Sequence, residues 1–550
     1  MSAWRRVVLI GFSGGGKSTA GRLVAERLGW EPRDIDSMVE RRFGMSVPEV
    51  FARHGEAVFR EAERAALVEA LWGERVVIAT GGGAPCDDAA WSGDLLGRPG
   101  TLTVALDAGP AVLLDRLRAQ AGSEGDAAGR PMLAGDDPLA RIIALKAARQ
   151  PWYDRAALTL VVDRVTVDEV AAELVRIVSG EPWTVKVAAP SGSSEVVIGS
   201  GVTTTVGARV RAAFPAAHRS WVITDAGVAP HALAPVEASL AGAGLAVGSR
   251  VVAAGEGSKS LAGASDIYDW LLGNRVERGD VVVALGGGVV GDLAGFVAAT
   301  TLRGLGLVQV PTSLLAMVDS SVGGKTGVNH PAGKNLIGAF NQPALVVIDP
   351  ALLATMPPRQ RRSGWAEIVK HAVIQPSTPG GERADLARVL TRNLTALATG
   401  TEPALGYVIA RNVALKAAVV EADEREAGLR AFLNFGHTIG HAIEAAGYTL
   451  LHGEAVAVGT RAAARLGHRL GTCDAATVAT IDHLLDAFDL PRTAEADLDR
   501  VHHLIGSDKK RAAGQQSWVL PLTEGGVVIR RDVPETDVRA VIAEVVTPAG

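Results

Sequence analysis

Three of the twelve histidines, His437, His441 and His452, fall in one stretch, Asn434–Glu454. His437 and His441 are four apart, so on a helix both imidazoles leave the same face. That spacing can hold a divalent metal, or place one ligand beside one acid/base group. His452 follows Gly447, where a turn could bring it back over the helix. A pair at this spacing also fits ordinary surface or core histidines. The third histidine, flanked by Gly453 and Glu454 in an otherwise apolar segment, favours chemistry if a carboxylate and an anion-binding set arrive from elsewhere.

A second chemical signal opens the chain. The apolar run Val7–Ile10 feeds Gly11-Phe-Ser-Gly-Gly-Gly-Lys-Ser18, and a helical pattern follows from Thr19. This is a phosphate-binding loop with both flanks in place. Backbone N–H groups around Gly14, Gly15 and Gly16 can close on phosphate oxygens, Lys17 supplies a cation, and the Ser18 hydroxyl can take Mg²⁺. Asp34-Ile-Asp36 reads as a strand end with its acids on opposite sides, one toward Mg²⁺ and one toward a second substrate; two capping aspartates are the alternative. Arg60 lies on a helical stretch with Glu63. Gly81, Gly82 and Gly83 follow the apolar strand at Val76 and would let a ligand approach the backbone. Arg130 follows a loose Gly/Ser/Asp-rich stretch, as on a lid, and Arg149 lies just downstream.

Over nearly its whole length, this first part resembles shikimate kinase. The resemblance implies a small P-loop kinase fold that transfers the ATP γ-phosphate to shikimate. It places Asp36, Arg60, Gly82, Gly83 and Arg149 around shikimate, with the two arginines clamping its carboxylate. Lys17 and Arg130 would stabilise the transferred phosphoryl group. Gly14 to Thr19 would hold the phosphates, Asp34 would stand behind Mg²⁺, and Arg116 would lie against adenine. Ala79 departs from the serine common in relatives, which touches an outer magnesium contact only.

Beyond residue 184, short Val/Ile runs such as Ser220–Thr224 and Asp280–Ala284 alternate with helical patterns, as in a parallel sheet covered by helices. Leu285-Gly-Gly-Gly-Val-Val-Gly-Asp292 is a glycine turn into a helix that could seat a dinucleotide pyrophosphate, or a tight structural turn. Thr312, Ser313, Asp319, Lys325, Asn329, His330, Lys334 and Asn335 crowd among glycines and small residues, suiting a pocket for a polyhydroxylated anion. From Ala351 the pattern turns helical. It carries Glu367 and Lys370 three apart, then Lys416, Arg430 and Asn434, and later Asp508-Lys-Lys510.

Leu285–Asp292, Val318–Thr326 with Lys334–Phe340, Leu429–Glu444 and His452–Glu454 each resemble 3-dehydroquinate synthase. The resemblance implies a metal, Zn²⁺ or Co²⁺, on Glu367, His437 and His452, with His441 a neighbour that works on protons. It implies NAD⁺ held by Asp225, Glu256, Lys259, Gly287, Gly288, Asp292, Thr312 and Ser313, with Lys325 and Lys334 adjoining. The substrate, 3-deoxy-D-arabino-heptulosonate 7-phosphate, would meet Arg303, Asp319, Lys325, Asn335, Lys370, Lys416, Arg430, Asn434 and Lys509. His371 stands where tyrosine is expected, and Leu302 where Gln or Lys is common.

The elements that must position these residues follow from the totals. A chain of 550 residues, 48% hydrophobic with 64 glycines and 4% aromatics, suits several compact α/β packing units. The expected division is a P-loop kinase domain at 1–178, an α/β NAD-binding domain at 184–350, and a mainly helical metal- and substrate-binding domain at 351–550. The Gly/Pro break at Val178–Trp183 sets the first boundary. A net charge of −5 gives no reason to expect nucleic acid or an anionic membrane. The most apolar stretch, Val281–Thr300, holds five glycines and Asp292, and suits buried strand and helix better than a membrane span. Two cysteines suit the cytoplasm, and the resemblance to the synthase implies a homodimer. A polyol dehydrogenase in the second part, or a non-catalytic nucleotide-binding first part, are the rival readings.

Overall fold

The structure, a computed structural model, describes residues 4–124, 136–380, 383–426, 428–447, 449–511 and 516–548, with the backbone alone for 121–124 and 507–511. The chain forms two compact units, residues 1–181 with 383–408, and residues 182–382 with 409–550.

The first unit is built on five parallel strands, β1 (Arg6–Ile10), β2 (Glu31–Asp34), β3 (Val76–Ala79), β4 (Thr101–Asp107) and β5 (Leu158–Val161), in the order β2-β3-β1-β4-β5. Every residue of β1 is buried, as its unbroken apolar run requires of a central strand covered on both faces. The helix Lys17–Leu28 starts directly from the phosphate-loop pattern and ends at Gly29 in the left-handed conformation.

Residues 383–408 complete this unit. Asn393 accepts from the Thr159 N–H (2.7 Å) and donates to the Thr159 carbonyl (3.0 Å). A side-chain amide thus pairs both backbone groups of a buried residue on edge strand β5. Arg388 bridges Asp107 and Asp163, at 2.7 Å each, and Lys146 reaches the other oxygen of Asp107 at 2.6 Å. Asn393→Ala leaves both Thr159 groups without that partner and is expected to destabilise the kinase unit by about 1–3 kcal/mol. A denaturant transition followed by kinase activity measures it.

The second unit carries β6 (Trp183–Ala189), β7 (Gly192–Ile198), β8 (Arg219–Asp225), β9 (Ala246–Val252), β10 (Val281–Gly286), β11 (Gly306–Pro311) and β14 (Leu345–Ile348) in the order β6-β7-β14-β11-β10-β8-β9. Only the β6–β7 pair is antiparallel. Val281, Val283 and Leu285 of β10 pack into one core, while Val282 and Ala284 pack into a second with Ile267, Leu271 and Leu293. Each fully buried valine contributes about 1.5–3 kcal/mol, so β10 is anchored from both faces. After β8 the chain moves to one edge of the sheet, and from β10 onward to the other. The switch between β8 and β10 is where doubly wound sheets open a ligand crevice at their carboxyl ends.

The polar run after Ser313, read from sequence as a pocket segment, includes an antiparallel hairpin of β12 (Lys325–His330) and β13 (Gly333–Phe340). Thr326, Gly327 and Val328 are buried between exposed Lys325 and the more open Asn329 and His330, so β12 shows no strand-like alternation, and most of β13 is exposed. Helices dominate after residue 350, with small strands at Ala494–Glu495, Trp518–Pro521, Val527–Arg530 and Val546–Thr547. No helix among the described residues is long and apolar enough to cross a membrane.

Candidate functional site

In the first unit, Gly11, Gly14 and Gly16 take positive φ values (126°, 80° and 89°), which let the loop turn its N–H groups inward. Lys17 is buried, and its Nζ donates to the Gly11 and Phe12 carbonyls at 3.0 Å each. Burial lowers its pKa to about 8 against the pull of Asp36 and Asp34. Asp34 ends β2 and its Oδ1 accepts from the Ser37 N–H (3.1 Å), capping the next helix. Asp36 sits in the first turn of that helix, which corrects the expectation of two acids on a strand. Burial raises its pKa to about 6, outweighing Lys17, and Asp34 and Glu63 raise it further.

Arg60 and Glu63 pair at 2.7 Å from one helix face. Glu63 is buried, and its Oε1 has no hydrogen-bond partner. A Cβ added at Gly81 would crowd Glu63 Oε1 and Asp36 Oδ1, while one at Gly82 would stand 3.1 Å from an Arg149 guanidinium nitrogen and one at Gly83 would collide with Arg60. The bare backbone at 81–83 therefore faces two carboxylates and two guanidinium groups. A cavity of about 280 Å³ opens there, lined by Arg60, Glu63, Gly83, Cys86 and Arg149. It has charged walls of both signs, suited to a small polyhydroxylated acid.

In the second unit, glycines bring the site helices together. A Cβ on Gly440, in the helix His437–Gly447, would press on the Ala455 carbonyl at 3.0 Å. One on Gly453, in the helix His452–Arg469, would collide with Ser363 of the helix Pro358–Ile374. The three helices approach because these positions carry no side chain, and Glu367, His437 and His452 meet as a result. Glu367 Oε1 lies 3.4 Å from Nε2 of both histidines.

Glu367 is fully buried; its Oε2 pairs with Lys370, and Oε1, the oxygen facing both imidazoles, has no hydrogen-bond partner. A buried carboxylate facing two imidazole nitrogens without hydrogen bonds, the nitrogens being borderline and the oxygen hard, fits a Zn²⁺- or Co²⁺-type ion. The other ring nitrogens are tied back: His437 Nδ1 lies 3.1 Å from the Phe435 carbonyl, and His452 Nδ1 lies 3.1 Å from Glu444 Oε2. His441 stands beside both, with ring centroids 5.1 and 5.6 Å away, and has no hydrogen-bond partner among the described residues. Although part of its ring is exposed, desolvation by the surrounding protein and its two histidine neighbours lower its pKa to about 3.

Around this centre, Lys416 pairs with Asp319, Lys325 with Glu426, and Asn434 donates to Glu426 at 2.9 Å. Burial opposes ionisation of Asp319, but Lys416 and Lys370 overcome it and hold the carboxyl far below the usual range. Arg430 donates to the Glu424 and Gly323 carbonyls. At the sheet's carboxyl edge, Gly287 caps the helix Gly288–Thr300, Asp225 ends β8, Thr312 and Ser313 follow β11, and buried Lys259 pairs with Asp292. These groups ring the β8/β10 switch as a dinucleotide cleft would.

Three family profiles match the chain. One described as shikimate kinase matches residues 13–179. Two described as the N-terminal and C-terminal parts of 3-dehydroquinate synthase match residues 249–363 and 364–511. The 3-dehydroquinate synthase of Nitrobacter winogradskyi is 47% identical over 380 residues, covering 67% of this chain and 97% of that protein. That of Symbiobacterium thermophilum is 46% identical over 348 residues, covering 62% and 95%. The chain belongs to the 3-dehydroquinate synthase family, joined to a shikimate kinase. Among solved structures, 2-epi-5-epi-valiolone synthase from Streptomyces hygroscopicus subsp. jinggangensis, with NAD⁺ and Zn²⁺ bound, matches at a TM-score of 0.58 and 28% identity, covering 66% of this chain and 99% of that one.

A shikimate kinase and a 3-dehydroquinate synthase thus share one chain, which makes it a bifunctional shikimate-pathway enzyme with a phosphotransferase and a carbon–oxygen lyase. The other residues anticipated for the two sites have surroundings of their own. Arg303 follows the far end of the helix Gly288–Thr300, exposed and with φ 70°, and makes no hydrogen bond or ion pair among the described residues. Arg130 and the Lys509 side chain lie outside the described residues. Arg116 donates to the Val162 carbonyl at 2.6 Å, beside the end of β5. Lys334 pairs with Glu444 at 2.6 Å, and Glu256 accepts from Asn329 at 2.7 Å. Asn335 takes φ 57° and its N–H donates to Asn329.

Three acids in the sites of this synthase and kinase were not assigned roles from sequence. Glu63 was visible as an i,i+3 partner of Arg60, Glu444 lay in a matching motif without a stated partner, and Glu426 lay just outside the matching motifs. Their partners Lys325 and Lys334 sit about a hundred positions upstream, beyond any local pattern. His371, where tyrosine was expected, is fully buried with Nδ1 3.3 Å from Asn412 Oδ1.

Proposed function

We propose that the first unit binds ATP with Mg²⁺ on Gly14–Thr19 and shikimate against Asp36, Arg60, Gly82, Gly83 and Arg149. Lys17 neutralises charge on the phosphoryl group in flight, as a buried cation in a dry loop does most effectively. Asp36, a carboxylate at neutral pH, accepts from the attacking hydroxyl. Ser18 meets Mg²⁺; Asp34 lends its charge from the cap position, and Arg116 borders the adenine. Arg130 shares with Lys17 the task of stabilising the transferred phosphoryl group.

In the synthase unit, Glu367, His437 and His452 hold one divalent ion, Zn²⁺ or Co²⁺. Asp225, Glu256, Lys259, Gly287, Gly288, Asp292, Thr312 and Ser313 hold NAD⁺. When bound, NAD⁺ accepts and returns a hydride while the metal polarises the reacting oxygen. Lys325 and Lys334 adjoin the NAD⁺ site, and Lys325, Lys370, Lys416, Arg430 and Asn434, with Asp319, Asn335, Arg303 and Lys509, grip a sugar-acid phosphate. Neutral His441 takes a proton at a ring nitrogen, sharing that task with the departing phosphate. The convergence of Glu367, His437 and His452 carries this reading.

The three-part domain division, with residues 383–408 going to the first unit, a homodimer through the synthase unit and a cytoplasmic location complete the proposal. The free thiols Cys86 and Cys473 suit a reducing compartment. The purified chain is expected to phosphorylate shikimate with ATP, and separately to release phosphate from 3-deoxy-D-arabino-heptulosonate 7-phosphate. Chelation is expected to stop only the second reaction once Mg²⁺ is resupplied, with Zn²⁺ or Co²⁺ restoring it. Stoichiometric NADH accumulating with the sugar phosphate would instead indicate a polyol dehydrogenase.

A further inference from the structure

Glu444 closes the face of the helix that carries His437 and His441, seven positions after the first. Its side chain is largely buried, and its two oxygens serve different elements. Oε2 lies 3.1 Å from His452 Nδ1, and Oε1 accepts from Lys334 Nζ, on β13, at 2.6 Å. A carboxylate can only accept, so His452 must carry its proton on Nδ1. Its Nε2 is then the nitrogen left to offer a lone pair to an ion, and it lies 3.4 Å from Glu367 Oε1. His437 is fixed the same way by the Phe435 carbonyl, whereas His441 has no such tie. The two histidines with oriented rings are the two proposed to hold the ion.

We propose that Glu444 is the positioning residue of the metal centre, fixing the tautomer and ring angle of His452 and tying it through Lys334 to the β12–β13 hairpin. The inference rests on the metal reading above. Without Glu444, His452 has no partner at Nδ1 and can rotate or change tautomer, which weakens the ion's hold before it touches the chemistry. Lys334 balances the carboxylate's charge and couples the hairpin bearing Lys325, Asn329 and Asn335 to the occupied site.

The test uses the full chain, with Glu444→Ala, Glu444→Gln and Lys334→Met. Zinc affinity is measured by competition with a chromophoric chelator, and site geometry by the visible absorption of the cobalt-loaded protein. Kinase activity of the same chain reports that each variant folds. Glu444→Ala is expected to weaken zinc binding about 10–100-fold and alter the cobalt bands, while synthase turnover at saturating metal changes far less. Glu444→Gln, able to accept through its carbonyl, should recover part of the affinity, and Lys334→Met should cost only a few-fold. Zinc affinity within twofold of wild type in Glu444→Ala, with kinase activity intact, would overturn the proposal. A wild-type chain that binds neither Zn²⁺ nor Co²⁺ would instead remove the metal reading itself.

Discussion

Glu367→Gln is expected to lower synthase turnover by about three orders of magnitude or more while leaving phosphorylation of shikimate unchanged. The substitution keeps the shape of the side chain and removes its charge. A metal polarising an oxygen supplies several kcal/mol of barrier lowering, and each 1.36 kcal/mol is tenfold in rate. Losing a buried anionic ligand from a three-residue set should forfeit most of that. The same change strands Lys370, which is 1% exposed and pairs with Glu367. Breaking a buried pair by removing one partner costs roughly 3–5 kcal/mol, so the synthase unit of Glu367→Gln should also melt earlier. Glu367→Gln combined with Lys370→Met separates the two effects. The double variant should regain stability and not activity, because the stranded charge is gone but the ligand is still missing. Metal content, synthase assay and calorimetry on the full chain measure the three outcomes. Glu367→Gln that keeps both stoichiometric metal and turnover would remove Glu367 from the centre.

The sequence made the phosphate loop legible because its chemistry is local: β1, the glycines and Lys17 are contiguous, and elementary helix and strand rules carry them to their places. The histidine helix was legible for the same reason, since four-residue spacing becomes one face. Asp36 was misplaced by one element because the strand-to-helix switch falls between Asp34 and Asp36, and Asp34 itself provides the cap that makes the switch. The β12–β13 hairpin was hidden because β12 shows no strand-like alternation. Least legible were contacts of long sequence separation. The Lys334–Glu444 and Lys325–Glu426 pairs, and the packing of residues 383–408 with the kinase unit, depend on the folded path of the chain.

Asp36→Asn is expected to lower kinase turnover about 10²–10⁴-fold, the range of a lost general base, and leave the synthase intact. The pH profile gives a sharper reading than the loss itself. Burial raises the Asp36 pKa to about 6, so the carboxylate is the major form above that pH and the neutral acid below it. Wild-type kcat/KM, which reports the free enzyme, should therefore fall tenfold per pH unit below about 6 and level off above. Hydroxyl groups of bound shikimate would favour the charged form, so the corresponding limb in kcat should lie at lower pH. Asp36→Asn should show a small activity without that limb. The linkage has a definite sign as well. The folded state holds the Asp36 proton more tightly than the unfolded chain does, so this residue's ionisation opposes folding, and the effect grows as pH rises from the unfolded pKa to about 6. At neutral pH, Asp36→Asn should then melt no earlier than wild type, and the kinase unit should be more stable for having lost a charge its chemistry needs. A variant that is inactive because it is unfolded would contradict this account, as would a wild-type profile flat between pH 5 and 8.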